Sequence, residues 1–245
     1  MLLAALLHAT WNAMIKGGRD VLLDTAAIVA GAGLVALPFL PFVPLPAPQA
    51  WPYIIASVVT HLAYYFLMVN AYRTGDLSLV YPLMRGVAPL ITAILGIFWL
   101  SEMPAPFAWA GMLLISAGVI AIYSIIDGNG ARASGNVWSY IVWLFVLDAI
   151  PFTLYMLVTR RRAFVQALWQ RRRNGMIGGG LSAGAYAISV WAMTQAPVAL
   201  VASLRETSVL FATLIGARLL NEKLTPRRWA GVAAVVIGVI ALKAA

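Results

Sequence analysis

The chain has no cysteine, which excludes disulfides and thiolate metal sites alike. Its two histidines cannot build a histidine-rich metal centre, and no cluster of His, Asp and Glu has metal-ligand spacing. No phosphate-binding loop of the Walker type occurs, so an ATPase reading finds no support. No catalytic constellation or cofactor motif recommends another enzyme, so none is expected. Charge is scarce too. Only 10% of the 245 residues are Asp, Glu, Lys or Arg, whereas 62% are hydrophobic. A soluble domain of this size needs far more polar surface.

What is present is apolar and long. Mean hydropathy is +0.89, and apolar runs of about 18 residues or more recur, each able to cross a hydrocarbon core of about 30 Å. The sequence therefore predicts an all-α polytopic membrane protein, multi-pass and integral to the cell (inner) membrane, with the lipid bilayer as its surroundings. Nine apolar segments are expected, at 1–16, 21–43, 51–72, 77–100, 107–126, 137–159, 176–196, 198–220 and 227–243. The first is read as a short span rather than a signal peptide, because its lysine follows the apolar stretch instead of preceding it. Links such as "PLPAPQ" and "SEMPAP" are brief, and "RRRAFVQALWQRRRNG" (160–175) is read as the one substantial loop, basic and interfacial. The net charge of +9 lies mostly in such loops, where the positive-inside rule accounts for it without a nucleic-acid partner.

Shifting the sequence by 120 positions brings two halves into register. Arg85 falls on Arg205, Gly96 on Gly216, Glu102 on Glu222 and Pro106 on Pro226, and "WAG" and "GVIA" each meet a second copy. Matches among Arg, Glu, Pro and Trp in one frame do not arise from apolar composition alone. Two repeats are expected, 1–122 and 123–245, each a five-helix unit. The second is shortened at its first helix, where "AIYSIIDGNGAR" answers "ATWNAMIKGGRD" and sets Tyr123 on Trp11. Segment 107–126 then closes one repeat and opens the next, leaving about nine spans out of an expected ten. With nine alternating spans the fourteen Lys and Arg outside them divide nine to five across the membrane. An extra span at residue 122 would divide them twelve to two, the stronger bias that orientation selection produces. A five-span repeat makes its second copy inverted.

The stretches "LLHATWNA", "GDLSLVYPLMRGVAPL" and "APVALVASLRETSVLFATLIGARLLNEKLTPRRWAGV" resemble the EamA-like branch of the drug/metabolite transporter superfamily, and the resemblance covers nearly the whole chain. It implies a permease of two inverted five-helix repeats with substrate in a central cavity. It also implies cytoplasmic termini, whereas the charge count puts the N-terminus outside; orientation stays open. The resemblance places His8, Trp11 and Asn12 in a first-helix motif, as cavity wall or as packing.

Charged residues inside spans are the candidate machinery, since each costs roughly 2.5–3.5 kcal/mol at mid-membrane unless it is paired or faces a wet cavity. Arg85 and Arg205 each lie roughly 10–13 Å into their segments, and inversion brings both near the midplane. They are the expected substrate anchors, the alternative being snorkelling or a structural ion pair. Pro82 and Pro89 flank Arg85, and Pro89 cannot bond back to the Arg85 carbonyl. Arg205 and Glu206 are helix neighbours about 100° apart and do not readily pair. One of Asp148 and Glu206 is expected to balance Arg205 and the other to carry a coupling proton, unless both serve only as counter-charges. His61 and Tyr65 share a helix face, either as cavity wall or as a packed polar contact. Gly175, Gly179, Gly180 and Gly184 suggest close helix packing.

The function expected is secondary active transport of a small organic metabolite. Paired arginines favour a carboxylate or phosphonate, an amino acid among them, since guanidinium binds such groups with two parallel bonds. Protons are the candidate coupling ion, no cofactor or metal is expected, and a homodimer is compatible with the chain. The alternative is a shortened, transport-inactive membrane scaffold.

Overall fold

The computed structural model describes residues 1–74, 76–84 and 119–222. Arg85, Pro89, Glu102, most of the expected spans 77–100 and 107–126, and the last span lie outside these residues. The expected symmetry axis relating Arg85 to Arg205 lies outside them as well.

The described chain is helical, without a strand. Helix α1 (Leu2–Lys16) ends where the Gly17 N–H bonds back to Ala13, and the Lys16 ammonium donates to the Tyr72 carbonyl at 2.8 Å. Helix α2 (Val21–Ala36) starts at Asp20, whose carboxylate accepts from the Leu22 and Leu23 amides and so satisfies two orphan donors of the first turn. It runs on as a 3-10 turn over Leu37–Phe42, where the prolines of "LPFLPF" remove the α-helical donors. Then come α3 (Trp51–Thr74) and α4 (Leu77–Met84). The first two amides of α4, from Leu77 and Ser78, donate to the Glu222 carboxylate at 2.8 Å each, so an acid remote in sequence caps that helix. After α5 (Ile120–Ala133), Asn136 caps α6 (Val137–Thr159) through Trp138 and Ser139. Helices α7 (Arg161–Gln170), α8 (Arg172–Gln195), α9 (Val198–Arg205) and α10 (Ser208–Leu219) complete the described chain.

Four stretches among the described residues are long and apolar enough to span a bilayer: Val21–Phe42, Pro48–Arg73, Val137–Thr159 and Arg172–Gln195. Leu3, Phe42, Val59, Leu154 and Val158 are exposed on the outside of the bundle, as a hydrocarbon-facing surface requires. The protein is an all-α polytopic membrane protein.

Three boundaries differ from expectation. The segment expected to stop at 126 continues as α5 to Ala133, because Asp127 in "DGNG" is buried and hydrogen-bonded instead of facing a loop. The basic stretch 160–175 is not a loop. Phe164 and Ala167 are buried and pin α7 against the bundle, and Arg172 already opens α8. The span 198–220 is broken. Glu206 and Thr207 form a turn between α9 and α10, closed by three-residue bonds from the Thr207, Val209 and Leu210 amides to Leu204, Glu206 and Thr207. The Thr207 hydroxyl donates to the Leu204 carbonyl at 2.7 Å and stabilises that turn.

Helices α2 and α8 pack most intimately, through glycine. A side chain on Gly31 would strike the backbone of Gly175, and one on Gly179 the backbone of Gly31 and Ala32. The small-residue expectation thus fits Gly175 and Gly179, four apart on one face. Gly180 faces open space, and Gly184 only touches Leu7. Around this crossing, α1 leans on α8 and α10, and α3 on α5 and α6, which leaves a space ringed by α1, α3, α5, α8 and the end of α9.

Candidate substrate cavity

Because α9 stops at Arg205, the arginine sits at a backbone irregularity inside the bundle. Non-helical backbone at membrane depth is tolerated where protein buries it or water lines it. Arg205 is 4% exposed, and its guanidinium lies 5.3 Å from the Tyr186 ring centroid and 5.7 Å from that of Tyr123. These cation–π contacts offset part of its desolvation. Arg205 Nη2 donates to the Tyr123 hydroxyl at 3.3 Å. Arg205 Nη1 is buried and has no hydrogen-bond partner among the described residues. An unpaired charged donor inside a bundle is costly, so this one is poised for an acceptor.

Arg205 lines a narrow cavity together with Trp11, His61, Tyr65, Tyr123 and Tyr186. The Trp11 indole N–H is likewise buried without a partner among the described residues. His8 also lines the cavity, edge-on to Trp11 at 5.1 Å. Two idle donors on one wall are chemistry for an anionic or carbonyl-bearing guest.

Behind the aromatic wall lies a chain of acids. His61 Nδ1 is 3.4 Å from Asp148 and His61 Nε2 is 3.9 Å from Asp127, so the imidazole stands between two carboxylates. Tyr65 donates to the second oxygen of Asp148 at 2.5 Å. Tyr140 donates to Asp127 at 2.8 Å, and Tyr186 donates to its other oxygen. Tyr65, Asp148, His61, Asp127, Tyr186 and Arg205, drawn from α3, α6, α5, α8 and α9, thus form one cluster. The tyrosines hydrogen-bond the acids, while His61 meets both acids at ion-pair distance. His61 Nδ1 and Asp148 Oδ1 make no hydrogen bond among the described residues.

Of the residues expected at the site, Arg205, Trp11, His61 and Tyr65 line the cavity and Asp148 lies behind it. Arg85 lies outside the described residues. Asn12 does not line the cavity. Its amide donates to the His8 carbonyl at 2.8 Å and its oxygen accepts from Tyr72 at 2.6 Å, clamping α1 to α3. Asp148, one expected counter-charge for Arg205, is engaged by His61 and Tyr65, while Glu206 occupies the turn after Arg205. Sequence reasoning missed Asp127, Tyr123, Tyr140 and Tyr186. The repeat register had set Tyr123 on Trp11, and Asp127 follows Tyr123 by four, on the same helix face. Among the described residues no three His, Asp or Glu side chains are arranged to hold a metal. The stretch "GLSAG" at 180–184 has Gly-x-Ser-x-Gly spacing, but Ser182 lies inside α8, not on the strand-to-helix elbow that exposes a nucleophile.

Membrane-spanning helices around a buried, charged and aromatic cavity make this a polytopic membrane protein with a polar site inside its bundle. More particularly, the chain belongs to the EamA-like transporter family, whose model matches residues 1–124 and 128–243. It is thus a membrane transporter of the drug/metabolite type, integral to the membrane and multi-pass, in a family of transporters and not of enzymes. Neither the curated proteins nor the solved structures contain a match.

Proposed function

We infer that the protein is a secondary active transporter of the cell inner membrane that moves a small organic metabolite bearing a carboxylate or phosphonate. The observation that carries this reading is the buried Arg205 guanidinium at the cavity wall, whose Nη1 has no hydrogen-bond partner among the described residues. A carboxylate or phosphonate oxygen placed there completes its hydrogen bonding, with the Trp11 N–H as a second donor. Low dielectric strengthens the attraction, since little water screens it. Arg85, Arg205's partner in the repeat register, supplies a second cation from the first half. The two units 1–122 and 123–245 then both give aromatic residues to the cavity, Trp11, Tyr64 and Tyr65 from the first and Tyr123, Phe145 and Tyr186 from the second.

Protons are the coupling ion in this reading, carried by Asp148 with His61 and Asp127. Two carboxylates against one guanidinium leave one negative charge in the network, and a proton on His61 or an acid cancels it. Charge balance thus links protonation to binding of an anion at Arg205. The second reading, a shortened and transport-inactive scaffold, draws on the missing span. Against it stand Tyr123 and Asp127: the shortened repeat still delivers both to the site.

The test is uptake into proteoliposomes, screened over amino acids, organic acids and organophosphates with and without a proton gradient. Gradient-stimulated uptake of an anionic compound supports the reading. Failure of every class, with correctly inserted protein, supports the scaffold.

A further inference from the structure

A second cavity opens at the α2–α8 crossing. Its walls are apolar, formed by Ala27, Gly31, Leu34 and Met176, and Arg171 and Arg172 close one end. The cavity exists because Gly31 and Gly175 meet backbone to backbone and put no side chain into the crevice between their helices. The two arginines differ. Arg171 Nη1 lies 2.5 Å from Asp24, so its charge is matched. Arg172 is exposed and stacks over Trp169 at 4.7 Å, with no carboxylate ion pair among the described residues.

The surroundings give this end a strong charge. Residues 160–173 contain six arginines and no acid. Asp20 and Asp24 pair with Arg160 and Arg171, and Arg161, Arg162, Arg172 and Arg173 have no ion pair among the described residues. Beside them Val165 and Trp169 are exposed, and an exposed Trp next to cations is what the headgroup layer of a bilayer favours. One end of the crevice is cationic and the rest is greasy, and both chemistries belong to a single molecule.

We propose that this crevice binds one anionic phospholipid, with the headgroup phosphate on Arg172 and an acyl chain along Leu34 and Met176. Basic pockets between membrane helices hold anionic headgroups in this way. The occupant bridges α2 and α8, the pair whose glycine contact leaves the fewest side chains to interlock.

Native mass spectrometry of the purified full-length protein tests this, with phosphatidylglycerol, phosphatidylcholine and inorganic phosphate as separate probes. One phosphatidylglycerol is expected to stay bound under conditions that strip phosphatidylcholine, and inorganic phosphate should not displace it. Arg172→Gln should weaken retention about fivefold, the effect of one cation near an anionic surface. Arg172→Lys should keep it, as a phosphate accepts either cation, and Arg218→Gln, at an exposed arginine of α10, should leave it unchanged. The lysine variant separates loss of charge from loss of fold. Equal retention of both lipids, retention indifferent to Arg172→Gln, or displacement by inorganic phosphate would each overturn the proposal.

Discussion

Arg205 donates to the hydroxyl of Tyr123 at 3.3 Å across 82 residues of sequence. The contact joins the end of a broken helix in the second half to the residue that answers Trp11 of the first. Trp11 and Tyr123 line one cavity, and the arginine sits between the aromatic wall and the acid network. A charge so placed has two uses, as a structural clamp or as a ligand anchor. Nη1, without a hydrogen-bond partner among the described residues, favours the anchor.

The acid network should set the response to pH. Asp148 faces His61 and Tyr65, while Asp127 faces His61, Tyr140 and Tyr186, with Arg205 over the last ring. If a proton in this network drives transport, Asp148→Asn or Asp127→Asn should mimic the protonated acid and keep substrate binding at least as tight as in the wild type, since neither acid touches the cavity donor. Loss of one coupling ion by contrast removes the linkage between protonation and affinity. Uptake should become flat with pH and indifferent to the proton gradient. Uptake by both variants that kept its wild-type pH profile would remove the network from the coupling step.

The glycine crossing makes a stability prediction that does not involve substrate. Gly31→Ala places a methyl group against the Gly175 backbone, which cannot rotate aside. Such overpacking costs about 1–3 kcal/mol, so the thermal midpoint in detergent should fall clearly. Gly180→Ala has open space and should be neutral or slightly stabilising, since alanine is the better helix former. Equal midpoints for the two variants would show that the crossing is looser than described.

Glu222 carries a prediction about the other half. Its carboxylate caps the first two amides of α4, and the repeat register sets Glu102 on Glu222 and residue 77 on residue 197. Residue 197 is a proline and has no N–H, so Glu102 should cap α9 through the Val198 amide alone. Replacing either acid by alanine should cost about 0.5–2 kcal/mol, the usual loss for a helix cap. Thermal unfolding should show a loss for both Glu102→Ala and Glu222→Ala, the smaller one for Glu102→Ala. A silent Glu102→Ala beside a destabilising Glu222→Ala would break the symmetry of the two halves.

Hydropathy alone made the spans legible. Segments 21–43 and 137–159 agree with Val21–Phe42 and Val137–Thr159, because a bilayer needs about 20 apolar residues and few other environments do. Arg205 was legible for the same reason, as a charge where charge is expensive. Asp127 was not. "DGNG" carries the composition of a turn, and Tyr140, Tyr186 and His61, distant in sequence, make a buried helical position tolerable for that acid. The break after Arg205 was hidden too. Its three-residue bonds involve Leu204, Glu206 and Thr207, and no glycine or proline marks the place. Basic residues at 160–173 suggested a loop by charge, whereas burial of Phe164 turns the stretch into helix.

The central claim is that Arg205 binds the anionic end of the substrate, and one set of variants decides it. Binding and proteoliposome uptake of a compound found in the screen should be measured on the wild type, Arg205→Lys, Arg205→Met, and Arg205→Met combined with Asp127→Asn or Asp148→Asn. A hydrogen bond to a charged group contributes about 1.5–3 kcal/mol, so Arg205→Met should weaken binding about 10- to 100-fold. Arg205→Lys keeps the charge without the planar fork and should fall between. The combined variants should regain folded yield if charge balance was lost, yet remain without transport. Recovery of both yield and transport in a combined variant would make Arg205 a structural clamp and contradict the account.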